Sequence, residues 1–131
     1  MKQLKIVMAI AFAGVLAACA PGTITPEELV VTRPYDEAFA LVTNTIATQP
    51  YPDDTTGWVV TQSDQVGGFV TAELEGRACA FLGLGCEPYT ARVSVALNTR
   101  GEELTAVQIS QTGHSVAQDL ADRLADRLRA P

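Results

Sequence analysis

Apolar and polar side chains alternate most regularly between residues 89 and 98, where every second position is apolar. This period of two is typical of a β-strand with one buried and one wet face. A similar alternation at 69–75, and β-branched or aromatic runs at 29–32, 58–63 and 104–112, predict four more strands. Strand signals thus extend over most of the chain beyond its N-terminal region.

Two other stretches repeat apolar residues every three or four positions, which is the period of an amphipathic helix. The first covers 34–48 and ends before Pro50, because proline disfavours a helical conformation in the residue ahead of it. The second follows Ser115, which stands three residues before Gln118 in the spacing of a capping box, and continues through Leu128. We expect each helix to bury one apolar stripe.

The predicted order is strand, helix, four strands, helix (β-α-β-β-β-β-α), and the links between the last four strands have hairpin length. Short links favour antiparallel pairing, which indicates the α+β class rather than α/β. We therefore expect one α+β domain at residues 29–131, with an antiparallel sheet of four to five strands. Both amphipathic helices should pack on one face of this sheet, which leaves the other face to water or a partner.

The N-terminal segment has the architecture of a signal peptide, with a basic start followed by an apolar run from Ile6 to Ala18. This run is too short for a transmembrane helix, which needs about 20 residues. Leu16-Ala17-Ala18-Cys19 resembles the lipobox of bacterial lipoproteins, which implies removal of residues 1–18 and lipidation of Cys19. The alternative is an ordinary secretory signal that ends near Ala18 or Ala20 and leaves a free cysteine.

Residues 19–28 are rich in proline and lack periodicity, so we expect a short tether between the lipid and the domain. In the lipoprotein family that the lipobox resembles, an aspartate after the lipidated cysteine favours retention in the inner membrane. Ala20 occupies that position here. The resemblance therefore implies a protein held by its lipid at the outer membrane, facing the periplasm, rather than at the inner membrane.

The excess of acidic over basic residues disfavours some classes of binding partner. The formal net charge is −6, and it becomes −8 when residues 1–18 are removed, because they contain Lys2 and Lys5. An acidic domain of this kind argues against nucleic acid as a partner, since such binding depends on basic side chains that neutralise phosphates. An anionic membrane surface repels it too, so the lipid must hold the protein at the membrane.

Two further cysteines, Cys79 and Cys86, enclose a segment between two predicted strands. We expect them to form a disulfide, because compartments outside the cytoplasm are oxidising. The enclosed Phe81, Leu82 and Leu84 are apolar, although loops are usually polar. Two interpretations stay open: a lid folded over the end of the core, or an exposed knob that binds a partner protein or the lipid surface.

Candidates for chemistry are few. His114 stands near Ser110, Ser115 and Asp119, but proximity in sequence does not assemble a catalytic triad. Zinc sites need four nitrogen or sulfur ligands, or three and a water, and His114 is the only histidine beside the two loop cysteines. Phosphate-binding and dinucleotide-binding glycine motifs are absent from the sequence. We therefore expect no catalytic residue, no metal, no cofactor and no enzymatic activity.

Four segments of the domain, 33–39, 58–60, 63–64 and 67–72, carry a second resemblance. They are similar to a pattern of small bacterial lipoproteins, and to the helix-grip units in the C lipoprotein of the outer-membrane β-barrel assembly machinery. The resemblance implies a helix, an antiparallel meander and a closing helix, and no catalytic residue carries over from it.

The function predicted from these observations is a non-enzymatic envelope lipoprotein, an accessory module that binds another envelope protein. The contact would use a sheet face or the apolar loop. The alternative is a lipoprotein that binds a small ligand, a lipid or a cell-wall fragment, in a pocket between the helices and the curved sheet.

Overall fold

A computed structural model describes residues 28–83 and 85–131, apart from the Phe81 side chain. The elements in chain order are β1 (Glu28–Val31), α1 (Tyr35–Ala47), β2 (Val59–Asp64), β3 (Phe69–Cys79), a 3-10 helix (Phe81–Gly83), β4 (Cys86–Thr99), β5 (Thr105–Gly113) and α2 (Val116–Arg129). The predicted signal peptide, the predicted lipidation site Cys19 and the predicted tether up to residue 27 lie outside the described residues. In the described part, no helix is both long and apolar enough to span a membrane.

All five strands form one antiparallel sheet in the order β1-β5-β4-β3-β2. Strands β2 to β5 form a meander of hairpins, and β1 closes the sheet by pairing with β5. The predicted α+β class, the element order and the antiparallel sheet are confirmed.

The core lies between one face of the sheet and the two helices. From the sheet, β3 and β4 contribute Leu74, Val93 and Val95, each at most 1% exposed. The helices contribute large apolar side chains that are at most 2% exposed: Val42, Ile46, Leu120, Leu124 and Leu128. Both helices therefore pack on the same sheet face, as the apolar stripes predicted.

The hairpin between β2 and β3 depends on a glycine. Gly68 has φ +77°, and a Cβ atom added there would lie 2.2 Å from the Leu97 carbonyl oxygen. This close approach lets the Leu97 N–H donate to the Gly68 carbonyl at 2.7 Å. Only glycine combines a positive φ with such a short contact at little strain.

Two local predictions are wrong. The strand at 69–75 continues to Cys79, and its partner begins at Cys86 rather than Tyr89, so both strands extend up to the cysteines. The capping box is also absent, because Ser115 has helical dihedrals and its side chain caps nothing. Instead, His114 Nδ1 accepts a hydrogen bond from the Val116 N–H at 3.2 Å.

Candidate functional site

Strands β3 and β4 extend beyond the rest of the sheet as a two-stranded arm. Pairing with β2 ends at Glu73, and pairing with β5 ends at Ala91, yet β3 and β4 remain paired as far as Cys79 and Cys86. We call residues 75–90 the arm. Five residue pairs at about 3.4 Å each give the paired part a length of about 17 Å.

The base of the arm is held on both sides. Thr56 brackets Glu75 from the loop before β2, since its N–H donates to the Glu75 carbonyl at 2.9 Å and its Oγ1 accepts the Glu75 N–H at 3.1 Å. On the inner side of the pair, the Tyr89 ring lies over Gly76, where an added Cβ would come within 2.7 Å of it. Tyr89 also stacks on His114, with ring centroids 4.0 Å apart.

His114 has a structural role. Its ring is held by Tyr89, and its Nδ1 caps the start of α2. The Ser110 hydroxyl, in turn, donates to the Ser94 carbonyl at 3.4 Å. The described contacts of His114 thus include neither a serine nor a carboxylate, and residues 28–83 and 85–131 hold no group of three metal-ligating side chains.

The far end of the arm carries the cysteines. Cys79 and Cys86 face each other in the strand register and are joined by a disulfide. Leu82 follows in the 3-10 helix with its side chain 80% exposed and a positive φ of 67°. Among the three predicted partner-binding residues, the Phe81 side chain and Leu84 lie outside the described part, so only Leu82 can be compared with the two interpretations of the loop. Leu82 is exposed and does not cover the core.

The second exposed feature is the outer face of the sheet, which neither helix covers. Thr71 and Ser94 hydroxyls lie 3.4 Å apart across β3 and β4, and Glu73 forms an ion pair with Arg92 beside them. These side chains line a shallow groove of about 380 Å³ that reaches Gln62 on β2. The groove combines neutral hydrogen-bonding groups with one internally neutralised charge pair.

The space between the helices and the sheet, where the ligand-binding alternative places its pocket, is filled by side chains of the core. Val42 and Leu120 are completely buried there, and they belong to the same core cluster as Val93 and Val95. A cavity of about 510 Å³ lies instead at the base of the arm, open to solvent and lined partly by Tyr89. Contacts of Tyr89 with Gly76 and His114 occupy its ring, so it offers no free platform for stacking.

At the end of the sheet farthest from the arm, the environment of Tyr35 shifts the pKa of its hydroxyl. Burial, together with the nearby Asp64 and Asp36 carboxylates, raises the pKa of Tyr35 above its usual value of 10.0. The Tyr35 hydroxyl donates to the Gln65 carbonyl. This hydrogen bond ties α1 to the turn between β2 and β3, beside an open surface pocket of about 310 Å³ that Tyr35 and Gln65 both line.

Comparison with known proteins does not assign this chain to a family. No protein-family model matches the chain, and no curated protein matches its sequence. Among solved structures, a START superfamily protein from Mycobacterium smegmatis has a TM-score of 0.41 at 10% identity, covering 79% of this chain and 92% of that one. A Thermus thermophilus protein gives a TM-score of 0.37 at 11% identity, with the same two coverages. The Zhui aromatase/cyclase from a Streptomyces species gives 0.30 at 10% identity, covering 76% of this chain and 80% of that one. These similarities concern the arrangement of strands and helices.

Proposed function

We propose that this protein is a lipid-anchored, non-enzymatic accessory lipoprotein of the cell envelope, which binds another envelope protein on the outer face of its sheet. The lipobox-like sequence ending at Cys19 supports the anchor, and Ala20 supports the outer membrane over the inner membrane. The resemblance to units of the C lipoprotein of the β-barrel assembly machinery belongs to the same proposal.

The observation that carries the binding role is the contrast between the two sheet faces. One face is covered by two helices over a filled core, which leaves a partner no route to the interior. The other face is uncovered and presents Thr71, Ser94 and Gln62 around its groove. Neutral donors and acceptors lose less solvation free energy in an interface than unpaired charges do, and the only charges there already pair with each other.

The groove lies beside an edge strand of the sheet. β2 is the last strand in the sheet order, and all six of its residues are exposed. A partner strand could add to this edge while its side chains enter the groove, which is a common mode of peptide recognition. A small ligand finds only open, polar surface there, which favours a protein partner over the ligand-binding alternative.

Site-specific photo-cross-linking in cells tests the proposal. A photoreactive residue at Gln62, in the groove, should capture one dominant envelope protein, whereas the same residue at Asp122, exposed on α2, should not. Ser94→Arg should abolish the capture from Gln62, because the longer cation fills the groove. Equal capture from both positions, or no dependence on Ser94, would refute the binding face.

Two companion measurements test the rest of the proposal. Metabolic labelling with a fatty acid should mark the wild-type protein and not Cys19→Ser, and membrane fractionation should place it with the outer membrane. Native mass spectrometry of the gently extracted protein addresses the alternative. A ligand bound in every preparation, without a protein partner, would replace the accessory role by ligand binding.

A further inference from the structure

We infer that the tip of the arm lies on the same lipid surface that holds the protein's own anchor, so that the domain touches its membrane at two points. The inference rests on the proposed lipidation of Cys19. It follows from three properties of the molecule: the end of the sheet at which the chain enters, the relative lengths of tether and arm, and the chemistry of the tip.

The strand register gives the direction. Glu28 pairs with Gln108, Gln108 pairs with Ala96, and Ala96 pairs with Phe69, so the first residue of β1 is level with the first residue of β3. From Glu28, β1 runs to Val31, away from the arm, because β1 is antiparallel to β5 and β5 runs toward the arm. The chain therefore enters β1 from the side of the arm.

The lengths agree closely. From Phe69 to Cys79, ten residues of extended strand span about 33 Å. From Cys19 to Glu28, nine residues reach about 30 Å when fully extended. A lipidated Cys19 drawn out along the sheet thus ends about 3 Å short of the level of the disulfide, even when the tether is fully extended. When the arm end of the domain faces the membrane, this tether brings the tip to the lipid surface.

The tip has the composition of a lipid-contacting element. Between Ala78 and Cys86 the sequence has no charged side chain and no hydroxyl or amide side chain. Leu82 is 80% exposed there, and the nearest charges are Arg77 and Glu87, one of each sign. The domain as a whole is acidic and repelled by anionic headgroups, so its neutral extremity is the part that can approach them.

Depth-dependent fluorescence quenching tests this contact with the full-length, acylated protein in vesicles. In a Trp58→Phe background, Leu82→Trp is compared with Val66→Trp, whose position is 100% exposed in the turn at the opposite end of the sheet. Vesicles of phosphatidylcholine brominated on the acyl chains should quench Leu82→Trp about twofold, since interfacial side chains lie about 5–10 Å deep. Val66→Trp should keep its fluorescence. If Trp58→Phe fails to fold, the same two substitutions are made in the chain that retains Trp58. The quenching of the parent chain, which contains Trp58 alone, is then subtracted from that of each variant.

The outcomes separate the two proposals. Intact mass reports acylation of Cys19: an unacylated protein refutes the proposed anchor and, with it, the membrane contact. Acylated protein in which Leu82→Trp is quenched no more than Val66→Trp overturns the membrane contact alone. A photoreactive residue at position 82 that captures a protein instead of lipid also overturns it, in favour of a protein-binding knob.

Discussion

Loss of the Cys79–Cys86 disulfide should release the arm before the rest of the domain unfolds. Beyond the sheet, the arm is a two-stranded hairpin, and such hairpins are marginally stable in water. The disulfide closes an eight-residue loop, which in the chain-entropy treatment is worth about 2.5 kcal/mol. At 25 °C this corresponds to about a 70-fold larger equilibrium constant for opening the arm. The Cys79→Ser/Cys86→Ser variant should therefore fray at the arm.

Limited trypsin digestion measures this opening at a single bond. Arg77 lies in the arm, whereas Arg92 lies in β4 between two paired strands. When opening is fast relative to cleavage, the cleavage rate follows the open population, so cutting after Arg77 should accelerate up to about 70-fold without the disulfide. In the variant, Arg77 should be cut well before Arg92. Equal rates at the two sites would refute the reasoning, because the arm would then open only with the whole domain; an unchanged rate at Arg77 would show that other contacts hold it.

Two pairs of substitutions and one titration test the turns, the core and the Tyr35 hydroxyl. Gly68→Ala and Gly83→Ala both place alanine at a positive φ, 77° and 71°, but only Gly68 has a strand carbonyl 2.2 Å from the new Cβ. Urea unfolding should show a loss of about 1 kcal/mol for Gly83→Ala and clearly more for Gly68→Ala, and equal losses would contradict the close contact. Leu124→Ala should lower the free energy of unfolding by about 2–5 kcal/mol, because it opens a cavity in the core. Leu82→Ala should change the free energy of unfolding by less than about 0.5 kcal/mol, because its side chain is exposed. A large loss for Leu82→Ala would mean that Leu82 packs on the core. Burial and two aspartates raise the pKa of Tyr35, so the stability this group contributes is complete below about pH 10 and lost as pH rises through the higher folded pKa. Urea unfolding at several pH values around 10 should show this loss in the wild type and not in Tyr35→Phe.

Periodicity predicted α1, α2, β4 and the first part of β3 because each of them has one buried face, whereas β2, whose residues are all exposed, was indicated only by its β-branched residues. The alternation through Val93, Val95 and Leu97 exists because those three side chains meet the helices, and their residues are at most 2% exposed. The apolar stripe of α2 follows from the same core contact at Leu120 and Leu124. Wherever burial on one face determines the choice of residue, the pattern in the sequence is sufficient to predict the element.

The arm escaped prediction because it has no buried face. From Glu75 to Cys79 most side chains are exposed, so no alternation marks the strand, and Gly76 argues against one. A different signal was present: Gly76 and Tyr89 stand three residues outside the two cysteines. If a disulfide joins facing residues of a hairpin, this symmetry places the aromatic ring opposite the glycine, where it covers the missing side chain.

The outer groove and the cap of α2 were missed for other reasons. The groove is a property of register, because Thr71 and Ser94 become neighbours only when β3 and β4 pair in one particular alignment. The capping box failed at Ser115 because Ser115 has helical dihedrals and the Gln118 N–H donates to its backbone carbonyl at 3.0 Å. The His114 imidazole, which stacks on Tyr89, caps the helix start instead by accepting from the Val116 N–H.

The two proposals constrain each other through charge and geometry. If residues 1–18 are removed and Cys19 is lipidated as proposed, the remaining chain has a net charge of −8 and is held within about 30 Å of the membrane. An anionic surface repels such a domain, and this repulsion falls off within about one Debye length of roughly 8–10 Å. In an upright orientation the neutral tip of the arm touches the lipid and the rest of the sheet points away from the membrane. Most of the acidic surface then lies farther from the membrane than one Debye length. The groove begins near Glu73, at the base of the arm, so the length of the arm raises it off the membrane by about 17 Å. In the proposed orientation the arm would act as a spacer, and the uncovered sheet face would stand where the proposed partner protein can reach it.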